Sequence, residues 1–134
     1  MIFILILFAV KISTTDFLGH RIRNRDVAIL LLISLGLTIR HPWTYCVTLT
    51  FSFMIFFIVH AIFAIGMGDV KLISVLIAIM APQTFNDISK IAILLMITSM
   101  VVVIPYIVAS HSLRLRIPWA PSLFLATILY MATR

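Results

Sequence analysis

The sequence predicts an all-α fold: a polytopic integral membrane bundle of about six transmembrane helices, with the N-terminus outside. Of the 134 residues, 63% are hydrophobic and only 10% are charged, whereas an ordinary soluble domain is about 45 to 50% apolar. The apolar residues form long runs without the polar alternation of a membrane β-barrel. A helix satisfies its own backbone hydrogen bonds in lipid, so helices are the expected elements. At this length we expect one membrane-embedded domain, residues 1–134.

Six apolar segments account for the predicted helices, at residues 1–15, 26–40, 43–65, 70–85, 90–109 and 118–133. The first has no Lys or Arg before it and no small-residue cleavage site after it, which favours a retained span over a signal peptide. Only the third and fifth reach the roughly 20 residues that cross a core of about 30 Å. The shorter ones require tilt, local thinning of the bilayer, or snorkelling of Lys11, Arg40 and Lys71.

Polar residues mark where these segments begin. Asp26 opens the second segment, where an acid favours the positive helix N-terminus, and Asn24 is predicted to be its N-cap. Asp87 lies in the polar run 83–90 before the fifth segment. Both acids are therefore interpreted as structural.

Basic residues indicate the orientation of the bundle. An N-terminus outside leaves seven of the ten in cytoplasmic segments, Lys11, Arg21, Arg23, Arg25, Lys71, Arg114 and Arg116, against Arg40, Lys90 and Arg134 outside. Six spans also put Asp16 and Asp69 on the same membrane side. In the alternative with four spans, the second segment is a surface helix and Asp16 lies in a solvated loop.

The same features argue against several other classes of protein. Cys46 is the single cysteine, so neither an intrachain disulfide nor a CxxC zinc site is expected. The basic residues lie at the ends of apolar segments rather than along one polar face, which argues against a nucleic-acid partner. No metal and no cofactor are predicted.

Asp69 is the most informative residue, because it follows Gly66-Met67-Gly68 between two apolar stretches in a chain with four Asp and no Glu. An acid in or near hydrocarbon costs about 2.5 to 3.5 kcal/mol, and so it usually has a functional reason. Lys71, two residues away, points to another helix face and is badly placed to neutralise it. The two glycines allow close helix approach or local unwinding.

Asp16 ends the first apolar segment and forms the second half of a predicted carboxylate pair. Each acid also has a structural alternative. Asp16 could be satisfied locally by Ser13 and His20, and Asp69 could cap or pack its helix.

Three sequence elements resemble the type IV prepilin peptidases, the GxGD aspartic proteases of the cytoplasmic membrane. The run 66–72, GMGDVKL, is similar to their GxGD motif. Asp16, Ile22 and Asn24 match the family's Asp-x5-Ile-Pro-Asn segment, except that Arg23 replaces the proline. Pro118-Trp119-Ala120-Pro121 resembles the entry to the family's last helix. The chain has no N-terminal cysteine-rich methyltransferase domain, so the resemblance is to the short, peptidase-only branch of Flp (tight-adherence) pilus systems.

The resemblance implies an aspartic-type endopeptidase in a bacterial or archaeal cytoplasmic membrane. Its substrate would be a prepilin or pseudopilin, cut at the cytoplasmic face to remove the basic leader. Asp16 and Asp69 would be catalytic, supported by Gly66, Gly68, Lys71, Ile22, Asn24, Pro118 and Pro121. Two close carboxyls share a proton, so one can act as general base and the other as general acid. The sequence does not assign these roles, although the more apolar setting of Asp69 favours it as the protonated member.

Two other classes of function also explain intramembrane acids. A small transporter or proton-conducting subunit would carry them near the bilayer midplane, usually with an inverted repeat. A structural assembly subunit would tolerate replacement of both acids by Asn.

The predicted topology can be tested by cysteine labelling in a Cys46→Ser background. A cysteine at Ser112 should react with an impermeant thiol reagent only from the cytoplasmic side, and one at Gln83 only from outside. Outside labelling at Ser112 would mean that the number of spans is wrong.

Overall fold

Six helices make up a computed structural model of the protein, which describes residues 2–19, 22–37, 42–63, 66–110 and 119–133. They are α1 (Ile2–Gly19), α2 (Asn24–Leu37), α3 (Pro42–Phe63), α4 (Met67–Met80), α5 (Phe85–Ser110) and α6 (Ala120–Thr133). No strand occurs in these ranges. Each predicted apolar segment coincides with one helix, so the all-α prediction is confirmed.

The ends of α4 follow from local chemistry. Gly66 is the N-cap, and its carbonyl accepts bonds from the N–H groups of Asp69 and Val70 at 3.0 and 3.2 Å. At the other end Ala81 adopts a left-handed conformation with φ 43°, and its N–H donates to the Ile77 carbonyl at 3.0 Å. Pro82 follows, as is common after a helix C-terminus. The helix is therefore limited to 14 residues.

The N-terminus of α5 is a capping box. The Asp87 carboxylate accepts the N–H of Thr84 at 3.1 Å, and the Thr84 hydroxyl accepts the N–H of Asp87 at 3.2 Å. Each side chain thus satisfies a backbone donor that the helix leaves open. The structural interpretation of Asp87 is confirmed.

The prediction that Asn24 caps α2 is wrong. The carbonyl of Arg23 accepts the N–H groups of Asp26 and Val27, so Arg23 holds the cap position and Asn24 is the first helical residue. The sequence pattern could not show this, because the side-chain amide of Asn24 bonds to Lys71 of α4 rather than to its own helix.

Helices α4 and α6 form the centre of the bundle. Helices α2 and α3 pack on α4, α1 and α5 pack on α6, and α4 contacts α6 directly. Eight of the 14 residues of α4 are buried. The core between them includes Leu5, Leu72, Leu76 and Phe124, each at most 1% exposed.

The outside of the bundle is apolar. Large hydrophobic side chains of α1, α3 and α5 are exposed, among them Phe3 at 72%, Phe51 at 65% and Met96 at 63%. An apolar exterior of this extent requires an apolar surrounding. In the described residues, three helices are long and apolar enough to cross a membrane, namely α1, α3 and α5.

An ion pair joins α1 to α2. Lys11 Nζ lies 2.6 Å from Asp26 Oδ1, and Asp26 is only 3% exposed. The other oxygen, Oδ2, is buried with no hydrogen-bond partner among the described residues. Asp26 is in the first turn of its helix, as predicted, but its burial and its pairing with Lys11 were not foreseen.

Candidate active site

The three motif elements meet at one end of the bundle, where α1 ends and α2, α4 and α6 begin. Each contact between them is between residues far apart in the sequence.

Asp16 is held by the start of α6. It lies in the last turn of α1 and is 5% exposed. Its Oδ2 accepts the backbone N–H of Ala120, the first residue of α6, at 3.1 Å. A carboxylate at a helix N-terminus, bonded to an open N–H group, is stabilised in its charged form. The Asp16 element and the Trp119-Ala120 element are therefore in direct contact.

Asp69 lies in the first turn of α4 and folds back toward the N-cap. A Cβ added to Gly66 would lie 2.9 Å from Asp69 Oδ2, closer than any real Cβ contact. Gly66 is thus required by the position of this carboxylate rather than by its own backbone, whose φ of −58° is ordinary.

The two carboxyls are close enough to interact. The Asp16 carboxylate exerts a Coulombic effect on Asp69, and neighbouring like charges disfavour a doubly ionised pair. Such a pair titrates as a unit and can hold one proton between its members. It can therefore offer a base and an acid at the same time.

Gly68 allows Ile22, in the segment that follows α1, to pack closely on α4. A Cβ on Gly68 would lie 3.1 Å from Ile22 Cβ and 3.6 Å from the Ile22 carbonyl oxygen. The absent side chain lets the segment after α1 pack on the first turn of α4. Two roles were predicted for the glycines, close helix approach and local unwinding. At Gly68 the structure shows close approach.

Lys71 turns away from Asp69, as the two-residue spacing predicts. Its Nζ donates to Asn24 Oδ1 at 3.1 Å. This bond links α4 to α2 across 47 residues. It also explains why Asn24 does not cap its own helix.

A cavity of about 180 Å³ opens beside Asp69 between α3, α4, α5 and α6. Val70, Ile73 and Leu123 contribute apolar walls. Trp119 also lines this cavity, and the next residue, Ala120, bonds to Asp16 through its backbone. The segment 119–120 therefore lies beside both acids. A substrate group placed there would lie directly against the Asp69 carboxyl.

Some predicted residues have other positions. Pro118 and His20 lie outside the described residues. Pro121 lines a shallow surface groove with Ser13 and Phe17 of α1, close to Asp16 in sequence.

Sequence reasoning missed two kinds of site residue. Ser99 and Phe56 line the cavity, but nothing in their sequence surroundings distinguishes them from other bundle residues. Ala120 binds Asp16 through its backbone, so its side-chain type carries no signal for this role. Within the described residues no group of three His, Cys, Asp or Glu side chains could hold a metal ion.

No protein-family model matches the chain, and no curated protein or solved structure was found to resemble it.

The close packing of Gly68 on Ile22 can be tested by cross-linking. In a Cys46→Ser background, Ile22→Cys with Gly68→Cys should form a disulfide under mild oxidation, because their Cβ atoms fall near the usual separation of about 3.5 to 4.5 Å. Ile22→Cys with Gly36→Cys is the matched control, since nothing lies within 4 Å of a Cβ at Gly36. Equal cross-linking of the two pairs, measured by mobility on non-reducing gels, would contradict the packing.

Proposed function

We propose that this protein is an aspartic endopeptidase of a cytoplasmic membrane that removes the basic leader from prepilin-like substrates. The observation that carries the proposal is that Asp16, bonded to the backbone of Ala120, and Asp69, which lines a cavity together with the adjacent Trp119, lie at the same end of an apolar bundle. It is supported by the contacts among the three motif elements, which are Asp16 with Ala120, Gly68 with Ile22, and Lys71 with Asn24.

In the proposed mechanism, Asp16 is the ionised member of the pair and Asp69 carries the proton. The Ala120 N–H and the N-terminus of α6 stabilise charge on Asp16, whereas Asp69 faces the apolar cavity. Asp16 takes a proton from water, whose oxygen attacks the scissile carbonyl carbon. Asp69 donates its proton to the carbonyl oxygen. When the tetrahedral intermediate collapses, the carbon–nitrogen bond breaks and the leaving nitrogen takes the proton from Asp16. A hydroxyl of the intermediate returns its proton to Asp69 as the new carbonyl forms, which restores the starting pair.

The proposed orientation puts this end of the bundle at the cytoplasmic face, with six spans and the N-terminus outside. The excess of basic residues in the segments assigned to that side supports it. A substrate whose basic leader stays in the cytoplasm and whose apolar stem lies in the bilayer would meet the carboxyl pair where it leaves the membrane.

Single replacements of either acid test the mechanism. Asp16→Asn and Asp69→Asn keep side-chain size but remove the shared proton, so each should lower cleavage of a matched prepilin by about 10²- to 10⁴-fold. Cleavage is measured by gel shift with purified protein in detergent, in the presence of a strong chelator. The wild-type rate should fall on both sides of a pH optimum, because only the singly protonated pair is active.

Asp87→Asn is the matched control, because Asp87 caps α5 away from the pair and should retain most activity. Near-wild-type cleavage by Asp69→Asn would rule out the aspartic mechanism and favour a structural role for both acids. Loss of wild-type activity in chelator, restored by zinc, would also contradict it.

Gly66→Ala tests the position of the Asp69 carboxylate without removing it. The new methyl group would occupy the space 2.9 Å from Oδ2, so the carboxylate must rotate away. A displacement of about 1 Å in a catalytic group costs up to roughly 10²-fold in rate. We expect a loss of this order in the cleavage assay, with the protein still folded by circular dichroism.

Gly36→Ala supplies the comparison, since it adds the same methyl group where nothing lies within 4 Å. It should cleave at the wild-type rate. Equal activity of the two variants would show that the Asp69 carboxylate is not held where the structure has it.

A further inference from the structure

A second cavity lies on the opposite side of α4 from Asp69. It has a volume of about 480 Å³ and is an open cleft between α2, α3 and α4. Asn24, Val27, Ala28 and Leu31 form its α2 wall, at the i, i+3, i+4 and i+7 spacing of one helix face. We call it the α2–α4 cleft.

The cleft is almost entirely apolar below its mouth. Its Thr50 and Ser74 hydroxyls donate to carbonyls of their own helices, at 2.8 and 2.7 Å. Both hydroxyl donors are therefore already used within the protein. The remaining walls are aliphatic and aromatic side chains.

The side chain of Lys71 places a positive charge at one end of the cleft. Lys71 lines the cleft and is oriented by its bond to Asn24 Oδ1 at 3.1 Å. In the described part of the chain, Lys71 has no carboxylate within ion-pair distance, since the ion pair there joins Lys11 to Asp26. Arg23 and Arg25, both exposed, flank Asn24 in the sequence. This end of the cleft thus carries uncompensated positive charge.

The lining of the cleft suits hydrocarbon chains. Its α2 wall from Asn24 to Leu31 spans about 10 Å along the helix axis. Below the mouth the walls are aliphatic and aromatic, and the two hydroxyls donate within their own helices. Acyl chains need no hydrogen-bond partner and therefore match this lining.

We propose that the α2–α4 cleft binds an anionic phospholipid, with its phosphate on Lys71 and the upper parts of its acyl chains against α2 and α4. The proposal stands on the charge at the mouth of the cleft and on its apolar lining, and it is independent of whether the carboxyl pair cleaves peptides. It assigns the two faces of α4 to different ligands.

The experiment measures lipid retention by native mass spectrometry. The full chain in non-ionic detergent is offered equal amounts of phosphatidylglycerol and phosphatidylcholine with identical acyl chains. The wild type should retain phosphatidylglycerol preferentially. Lys71→Met should lower this preference about fivefold, the effect expected of one lysine near an anionic lipid surface. Lys71→Arg should keep it.

Two further variants separate this site from general attraction of anionic lipid. Lys90→Met, at an exposed lysine of α5 outside the cleft, should leave the preference unchanged. Ala28→Phe places a ring inside the cleft and should reduce retention of both lipids, even where a Lys71 variant does not fold.

Equal retention of both lipids by the wild type would overturn the proposal. So would an unchanged preference in Lys71→Met, or undiminished lipid retention in Ala28→Phe. Displacement of bound lipid by an apolar prepilin stem peptide with higher affinity would identify the peptide as the occupant instead.

Discussion

The hydrogen bond from Ala120 to Asp16 connects the first helix to the last, and the geometry of the site depends on it. A buried carboxylate without a partner is costly in an apolar bundle. Asp16 obtains its partner from the open N-terminus of α6, where an N–H group has no acceptor within its own helix. One contact thus satisfies both groups. It also sets the distance of α1 from α6, which packs in turn on α4 and so brings Asp16 near Asp69.

On helix α4, residues two apart in the sequence face two different cavities. Asp69 and Ile73 face the small cavity beside α6, whereas Lys71 and Val75 face the larger cleft beside α2. Because residues two apart on a helix lie on different faces, the acid and the base do not neutralise each other. Each charge is left to interact with its own surroundings. Gly68, which directly precedes Asp69, lets the segment at Ile22 pack against the start of α4.

The sequence predicted the six helices because their apolar runs are separated by glycine, proline and charged residues. It also singled out Asp16 and Asp69, through the resemblance of their segments to the prepilin peptidase motifs, and the structure has both at the end of the bundle where α4 and α6 begin. It could not predict that α4 and α6 are central, since the outer helices α1 and α3 are more apolar than either. Partners that depend on helix rotation, such as Lys11 with Asp26 and Asn24 with Lys71, were equally out of reach. The sequence shows which residues are charged, but it does not show which neighbouring helix each charged side chain faces.

The ion pair between Lys11 and Asp26 has a consequence for the packing of α1. Lys11 lies in the middle of α1, and a lone lysine or aspartate within a membrane helix costs about 2.5 to 3.5 kcal/mol on insertion. Once the two side chains meet, each supplies the counter-charge that the other lacks. The packing of α2 on α1 therefore keeps Lys11 from facing an apolar surrounding without a counter-charge. A lysine in the middle of an apolar helix thus ties that helix to one particular neighbour.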